Sequence, residues 1–328
     1  MSDQDGCCLG IDVGGTKLSA ALLSPRGEMR ARTKLPLERT GPEEAAQQIA
    51  DLIAQFERAA GDGRQELRGI GIAIPGVVFH DSGEVWAPNI PGWDRYPLHD
   101  RLRESTEAVL TIDSDRSAYV LGEQWCGAAK GTHNAVFLAV GTGIGAGILI
   151  DGRLCRGAGD IAGAVGWFAL TPESRTDYAR RGCFESEASG TAVGERAVRM
   201  IGTGRSTLIT EMVDGDLTRV TAETVVEAAR RDDSLARGVL EETVTYLAMG
   251  IANIVSILNP EIVVLGGGLM QAGDLLFDPL TAEFKKWAQP LAAEEVRVVL
   301  SALGEDAGLF GAGKLAWNVV ETSRADAT

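Results

Sequence analysis

The residues whose types and spacing suggest chemistry most clearly lie in the stretch 9–17, Leu-Gly-Ile-Asp-Val-Gly-Gly-Thr-Lys. An apolar run delivers one carboxylate, Asp12, to a tight turn. The turn consists of Gly14, Gly15, Thr16 and Lys17. Glycines let backbone N–H groups approach an anion, the hydroxyl and ammonium groups add donors, and a carboxylate can face the magnesium ion that accompanies a triphosphate. The stretch therefore predicts a site for a nucleotide phosphate, with Asp12 serving Mg2+.

Two further glycine turns follow apolar runs later in the chain. Segment 141–147 comes after the run 135–140, and a third turn comes after 262–265. The residues expected to bind the nucleotide are Gly141, Thr142, Gly143 and Gly145 in the second turn and Gly266, Gly267 and Gly268 in the third. Three glycine turns after three buried strands predict one nucleotide site built from two halves of the chain.

The elements around these turns indicate the fold class. Residues 17–23 and 145–150 both read as strands that follow a phosphate turn. A Rossmann turn would open a helix instead, and no Walker motif occurs. The pattern favours an α/β architecture, the duplicated actin-like ATPase (ribonuclease H-like) fold with the nucleotide in the cleft between two domains. We expect an N-terminal domain over 1–116, joined by a C-terminal helix over 307–328, and a larger domain over 117–306.

Composition limits the class of protein. The chain has 328 residues, 45% of them hydrophobic, which is enough for two domains with cores. A formal net charge of −15 opposes non-specific nucleic-acid binding. The longest apolar stretch, 243–258, is shorter than the ~20 residues of a membrane span. The five cysteines form no metal-spaced pair and the N-terminus lacks a signal-peptide pattern, so we expect a cytoplasmic protein that acts at neither nucleic acid nor membrane.

At this point the chain resembles the ROK family of sugar kinases, which includes bacterial glucokinases and N-acetylmannosamine kinases. The resemblance spans nearly the whole chain and lies in six elements in the family order. They are residues 12–17, 73–76 (Ala-Ile-Pro-Gly), 88–93 (Pro-Asn-Ile-Pro-Gly-Trp), Ser114-Asp115, 141–147 and 266–268. The resemblance implies ATP as phosphate donor and a homodimer. It also implies that Gly76 and Asn89 contact sugar hydroxyls and that Asp115 is the catalytic base.

Phosphoryl transfer gives an independent reason for a carboxylate at 115, since the acceptor hydroxyl must lose a proton as its oxygen attacks. Asp113 and Asp115 compete for that role, and the family spacing back from Glu123 selects Asp115. We interpret Asp113 as a capping or solvated carboxylate. The alternative for Asp115 is that it merely caps a helix. The family's Asn-Asp-Ala-Asn reads Ser-Asp-Arg-Ser at 114–117, which keeps the base and changes its neighbours.

The chain departs from the family pattern at other polar positions. The family's Gly-Glu-x-Gly-His element, whose Glu and His meet the sugar, reads Gly-Ala-Val-Gly-Trp at 163–167, so Trp167 presents an aromatic face. The family's zinc-binding cysteine cluster matches 176–183, where Cys183 alone remains, and we expect no zinc. Glu185 matches a sugar-contacting glutamate.

Loss of two polar contacts affects the expected acceptor. Hydrogen bonds to charged partners contribute about 1.5–3 kcal/mol each, so glucose would lose about two to four decades of affinity. We expect a modified sugar such as the amino sugar kanosamine, or a C7-cyclitol of the valiolone type, phosphorylated on a primary hydroxyl as by relatives in antibiotic biosynthesis. The alternatives are that Trp167 only fills space in an ordinary glucokinase, or that the protein binds sugar without catalysis. A sugar-responsive repressor would need a DNA-binding domain, and we expect none in the few residues before the first strand.

Overall fold

The computed structural model describes residues 6–38, 40–63 and 65–325. The strands are β1 Gly6–Val13, β2 Lys17–Leu23, β3 Met29–Pro36, β4 Glu66–Ile74, β5 Val77–Phe79, β6 Glu84–Trp86, β7 Asp94–Tyr96, β8 Val109–Ser114, β9 Ala135–Val140, β10 Ile144–Ile150, β11 Arg153–Leu154, β12 Ile262–Gly266 and β13 Arg297–Leu300. The helices are α1 Pro42–Asp62, α2 Leu98–Arg103, α3 Asp115–Cys126, α4 Tyr178–Arg181, α5 Cys183–Ala188, α6 Gly190–Ile201, α7 Leu208–Met212, α8 Ala222–Arg230, α9 Ser234–Leu258, α10 Phe277–Phe284, α11 Pro290–Glu295 and α12 Ala307–Ala325. Short 3₁₀ segments span Val165–Trp167, Leu217–Arg219, Gly268–Leu275 and Gly304–Asp306.

The chain forms two compact units. Unit 1 takes in the chain up to Thr132, residues 147–162 and the chain from Ala302, whereas unit 2 takes in residues 133–146 and 163–301. The expected boundary at 116 would place α3 in the second domain, but α3 groups with unit 1. The reason is close packing against α12: a Cβ on Gly311 would lie 1.7 Å from the carbonyl oxygen of Ala118.

Unit 1 is built on a five-stranded sheet of order β3-β2-β1-β4-β8. β1 pairs antiparallel with β2 and parallel with β4, and β4 pairs parallel with β8. Helix α1 begins at Pro42, where a missing N–H costs nothing, and lays Ile49, Ile53 and Phe56 into the core beside the sheet. A separate small sheet of order β5-β6-β7 follows Gly76. The strand predicted over 17–23 is present as β2.

A second five-stranded sheet has the order β11-β10-β9-β12-β13. β9 pairs parallel with β12, and β12 pairs parallel with β13, while β10 and β11 form an antiparallel hairpin. Its order repeats that of the first sheet, with a hairpin on one side and two parallel strands on the other. This repetition is what a duplicated fold requires.

The helix-rich part of unit 2 packs around α9, whose buried residues recur at helical spacing from Leu235 to Val255. Asn259, in the left-handed conformation, ends this helix. Within residues 6–38, 40–63 and 65–325, no helix combines the length and the apolar character needed to cross a membrane.

Candidate active site

The register of the first sheet brings its functional carboxylates to one edge. Asp12 of β1 pairs with Ala73 of β4, and Ala73 pairs with Asp113 of β8. Because these three strands are parallel, their carboxyl ends meet at that edge, as ligand-binding ends of open α/β sheets do. Asp115 follows directly as the first residue of α3. Carboxylates distant in the chain therefore converge.

The first glycine turn closes between β1 and β2. The N–H of Gly14 donates to the carbonyl of Lys17 over 2.8 Å, and the carbonyl of Thr16 accepts from Leu37 over 3.0 Å. Thr16 and Lys17 are exposed. The backbone of the turn is thus fixed while these two side chains remain accessible to a ligand.

Asp115 is not the cap of α3. Ser114 is the N-cap, because its hydroxyl accepts from the N–H of Ser117. Asp115 Oδ1 accepts from the backbone N–H of Arg116 over 2.7 Å, and Tyr119 donates its hydroxyl to Oδ2 over 3.4 Å. Burial raises the pKa of Asp115 to about 6, against the lowering effect of Arg116 and these two donors. A carboxylate with that pKa is ionised at neutral pH and can accept a proton.

Asp12 lies near the Asp115 charge. Burial is the largest cause that raises the pKa of Asp12 to about 7, followed by repulsion from Asp115 and Asp306, while Lys34 lowers it. The start of α12 approaches the same carboxylate, since a Cβ on Gly308 would lie 2.7–2.8 Å from its three terminal atoms. A carboxylate whose charge is disfavoured by burial and by two neighbouring carboxylates suits a bound cation.

The side chains near Asp12 can be compared with the ligands that magnesium prefers in proteins. In the described part of the chain, no three His, Cys, Asp or Glu side chains are grouped so as to hold a metal ion by themselves. Magnesium is commonly held by one or two carboxylates together with substrate phosphates. Asp12, beside a turn of backbone donors, fits that mode of binding.

The interpretation of Asp113 as a capping or solvated carboxylate is wrong. It is 2% exposed and accepts from the guanidinium of Arg156 over 2.7 and 2.8 Å. His80 Nε2 lies 3.6 Å from Asp113 Oδ2, and its Nδ1 lies 2.9 Å from Oδ1 of Asp160, which accepts. Its hydrogen bond to Asp113 is the main cause that raises the pKa of His80. This network escaped the sequence analysis because nothing in the local pattern links residues 80, 113, 156 and 160.

The second glycine turn, in unit 2, is braced by α6. The N–H of Gly190 donates to the carbonyl of Gly141 over 2.7 Å, and the hydroxyl of Thr191 donates to the carbonyl of Thr142 over 2.9 Å. Gly267 follows β12 with a φ of 95°, and a Cβ there would lie 2.4 Å from the carbonyl of Val140. The second and third glycine turns therefore meet at adjacent strand ends.

These turns border a groove of about 1120 Å³ that lies within unit 2. Its lining includes Gly141, Thr142 and Gly268 from the predicted set, together with Thr191, Val198, Leu217, Val220, Val226, Leu269 and Ala272. Arg199, Glu223 and Arg230 supply charged groups at its wall. An apolar slot that ends at a glycine turn suits a nucleoside with its phosphates. Sequence reasoning missed the α6–α8 residues because they carry no motif.

The residues expected to bind an acceptor fall in both units. In unit 1, Gly76 accepts from the Arg116 guanidinium over 3.3 Å, and the exposed Asn89 has its Cβ 4.0 Å from the position of a Cβ on Gly15. In unit 2, Glu185 accepts from the N–H of Ile144 over 2.8 Å, and Trp167 is 57% exposed. Glu185 thus supports the second glycine turn, a contact that its family match did not predict.

The stretch matched to the family's cysteine cluster is held by ion pairs. Arg175 contacts Asp177 and Glu187 over 2.5 and 2.6 Å, and Glu187 also accepts from Arg196 over 2.7 Å. The side chains of Arg196 and Glu187 are each 3% exposed, so this buried pair joins α5 to α6 within unit 2.

Residues 8–319 match the ROK family. A glucokinase from Halalkalibacterium halodurans is 34% identical over 320 residues, which are 96% of this chain and 96% of that protein. A solved ROK family glucokinase from Streptomyces griseus, in complex with glucose and AMPPNP, matches with a TM-score of 0.76 and 28% identity over 95% of this chain and all of its own. A ROK hexokinase from Thermus thermophilus matches with a TM-score of 0.82 and 27% identity over 96% of this chain and 99% of its own. The predicted actin-like ATPase fold is thereby confirmed, and the chain belongs to the ROK family.

Proposed function

We propose that the protein is an ATP-dependent kinase that phosphorylates a primary hydroxyl of a hexose-like acceptor. The observation that carries the proposal is the pair Asp12 and Asp115 at one sheet edge beside the first glycine turn. The groove of unit 2, next to the second and third glycine turns, supports it as the place for the nucleoside. The glucokinase relative gives further support to the kinase class.

In the proposed reaction Asp115 accepts the proton of the acceptor hydroxyl. The acceptor oxygen forms a bond to the γ-phosphorus, the bond from that phosphorus to the β–γ bridging oxygen breaks, and ADP leaves. Asp12 would hold magnesium, which supplies charge neutralisation at the phosphates. The backbone N–H groups of 14–17 in unit 1, and those of 141–145 in unit 2, are each proposed as donors to phosphate oxygens. Orientation and charge compensation account for most catalysis in phosphoryl transfer.

For the acceptor we propose a modified sugar such as kanosamine, or a C7-cyclitol of the valiolone type. The support is the chemistry of the positions where the family has Glu and His. Here Ala164 has no polar side chain and Trp167 offers an exposed aromatic face. Glu185 already accepts a backbone hydrogen bond.

A second candidate is an ordinary glucokinase, favoured by the similarity to glucokinases along nearly the whole chain. The test is a panel of glucose, kanosamine and valiolone assayed with MgATP, with ADP release as the readout and Asp115→Asn as the matched inactive control. Highest kcat/KM for kanosamine or valiolone supports the modified acceptor. A kcat/KM for glucose well above both selects the glucokinase instead. Binding of an acceptor without ADP release would contradict the kinase and leave a non-catalytic sugar-binding protein.

A further inference from the structure

Tyr119 lies beside the proposed base, and the reaction proposed above assigns it no function. Tyr119 lies one helical turn after Asp115 on α3, and side chains four residues apart share a helix face. Its hydroxyl is 3.4 Å from Asp115 Oδ2. That is longer than an ordinary hydroxyl–carboxylate bond, so the contact contributes little to the stability of the fold.

Each oxygen of the Asp115 carboxylate accepts a hydrogen bond from a different donor. The backbone N–H of Arg116 holds Oδ1 over 2.7 Å, and the hydroxyl of Tyr119 reaches Oδ2. A carboxylate that is held at both oxygens keeps one rotamer, and each oxygen retains a lone pair for a further proton donor. One terminal nitrogen of the Arg116 guanidinium donates to the carbonyl of Gly76, and its positive charge lowers the pKa of the Asp115 carboxyl.

The electrostatics keep the hydroxyl protonated. The charge of Asp115, burial and the charge of Asp12 raise the pKa of Tyr119 well above its ordinary value, in that order. The phenol therefore remains a donor across the pH range in which Asp115 gains and loses its proton. The charged groups that face this pair are Asp12 on β1 and Arg116 on α3, while Asp306 and Lys34 act on Asp12.

We propose that Tyr119 is a positioning residue that orients the Asp115 carboxylate for proton abstraction and favours its ionised form. The inference rests on the phosphoryl transfer proposed above. Tyr119 keeps its own proton throughout, since the proton of the acceptor passes to Asp115. Its role is therefore distinct from that of the base.

The test is Tyr119→Phe, which removes only the hydroxyl. We expect kcat to fall about tenfold, well below the ~10²–10⁴-fold contribution of a general base. Loss of a donor to the ionised carboxylate raises its pKa, so the acid limb of the pH profile of kcat/KM should move upward by roughly half a pH unit. KM for ATP and the melting temperature should stay near those of the wild type.

Tyr96→Phe is the matched control, because Tyr96 also donates to a carboxylate, Glu43, over 2.8 Å in unit 1. It should leave kcat and the pH profile unchanged. An unaltered pH profile in Tyr119→Phe overturns the inference, whether kcat is unchanged or falls together with the melting temperature. Full activity of Asp115→Asn, measured in parallel, would instead overturn the proposed function itself.

Discussion

The carboxylate of Asp12 lies against Gly308 in the first turn of α12. A Cβ at position 308 would be 2.7 Å from Cγ and 2.8 Å from each oxygen of Asp12. Real Cβ contacts are longer, so any side chain at 308 must displace the carboxylate or the helix. The Asp12 carboxylate can therefore occupy its position only because residue 308 has no side chain.

Gly308→Ala should lower kcat by about 100-fold, because a misplacement of about 1 Å in the groups that position the reactants can cost that much in rate. The measurement is ADP release at saturating MgATP. The control is Gly61→Ala on α1, where a Cβ meets no atom within 4 Å, and which should keep full activity. Equal kcat in both variants would show that the position of Asp12 does not limit turnover.

Asp12→Asn should make the protein more stable than the wild type, and this difference in the free energy of unfolding should grow as the pH rises. The pKa of Asp12 is about 7 in the folded protein and 3.8 in the unfolded chain, so the folded state binds the proton more tightly. The contribution of protonated Asp12 to the stability of the wild type is fully present below about pH 4 and is lost as the pH rises through 7. Denaturant unfolding should therefore show a variant more stable than the wild type by on the order of 1–3 kcal/mol at pH 8 and by less at pH 5. A difference that is independent of pH would contradict the assignment.

Asp115 should give the acid limb of the pH–rate profile. A base must be ionised, so kcat/KM should fall about tenfold per pH unit below about pH 6, the pKa of this carboxyl. Asp115→Asn should abolish turnover and leave nucleotide binding, followed by calorimetry, nearly unchanged. An acid limb near pH 4 would show that the titrating group is a different carboxylate.

Glu123 should matter for stability. Its fully buried carboxylate accepts backbone N–H groups of Ala128 over 2.6 Å and of Leu303 over 3.0 Å, and so joins the end of α3 to the segment before α12. Glu123→Ala leaves these donors buried without their acceptor, at a cost of about 1–3 kcal/mol each. Thermal unfolding should show a clear loss, whereas the exposed Glu107→Ala should change little. A melting temperature equal to the wild type would mean that water replaces the carboxylate.

Much of the fold could be predicted from the chain because its signals are local. The stripe of Ile49, Ile53 and Phe56 marks α1, and the run 135–140 is the buried strand β9. The boundary between units was harder to predict, since it depends on α3 packing against α12, nearly 200 residues away. No local pattern specifies that Ala118 must face a glycine at 311.

The site could be predicted in part, for the same reason. Asp12 and the glycine turns belong to short sequence motifs that indicate phosphate binding. In the structure these residues lie at the ends of strands, as expected. The environment of Asp113 could not be predicted, because its partner Arg156 is 43 residues away. The contact of Glu185 with Ile144, 41 residues earlier, was hidden in the same way.

The groove of unit 2 allows a test that separates nucleotide binding from folding. Gly268 borders this groove, and a Cβ there meets no atom within 4 Å, whereas one on Gly267 would meet the backbone of Val140. Gly268→Val should therefore fold normally and narrow the space for the nucleoside, and KM for ATP should rise about tenfold while kcat stays within a few-fold. Gly267→Val should lower the melting temperature instead, because its φ of 95° is strained for a β-branched residue. If Gly268→Val bound ATP as tightly as the wild type does, measured by titration of both proteins, the nucleoside would have to lie outside this groove.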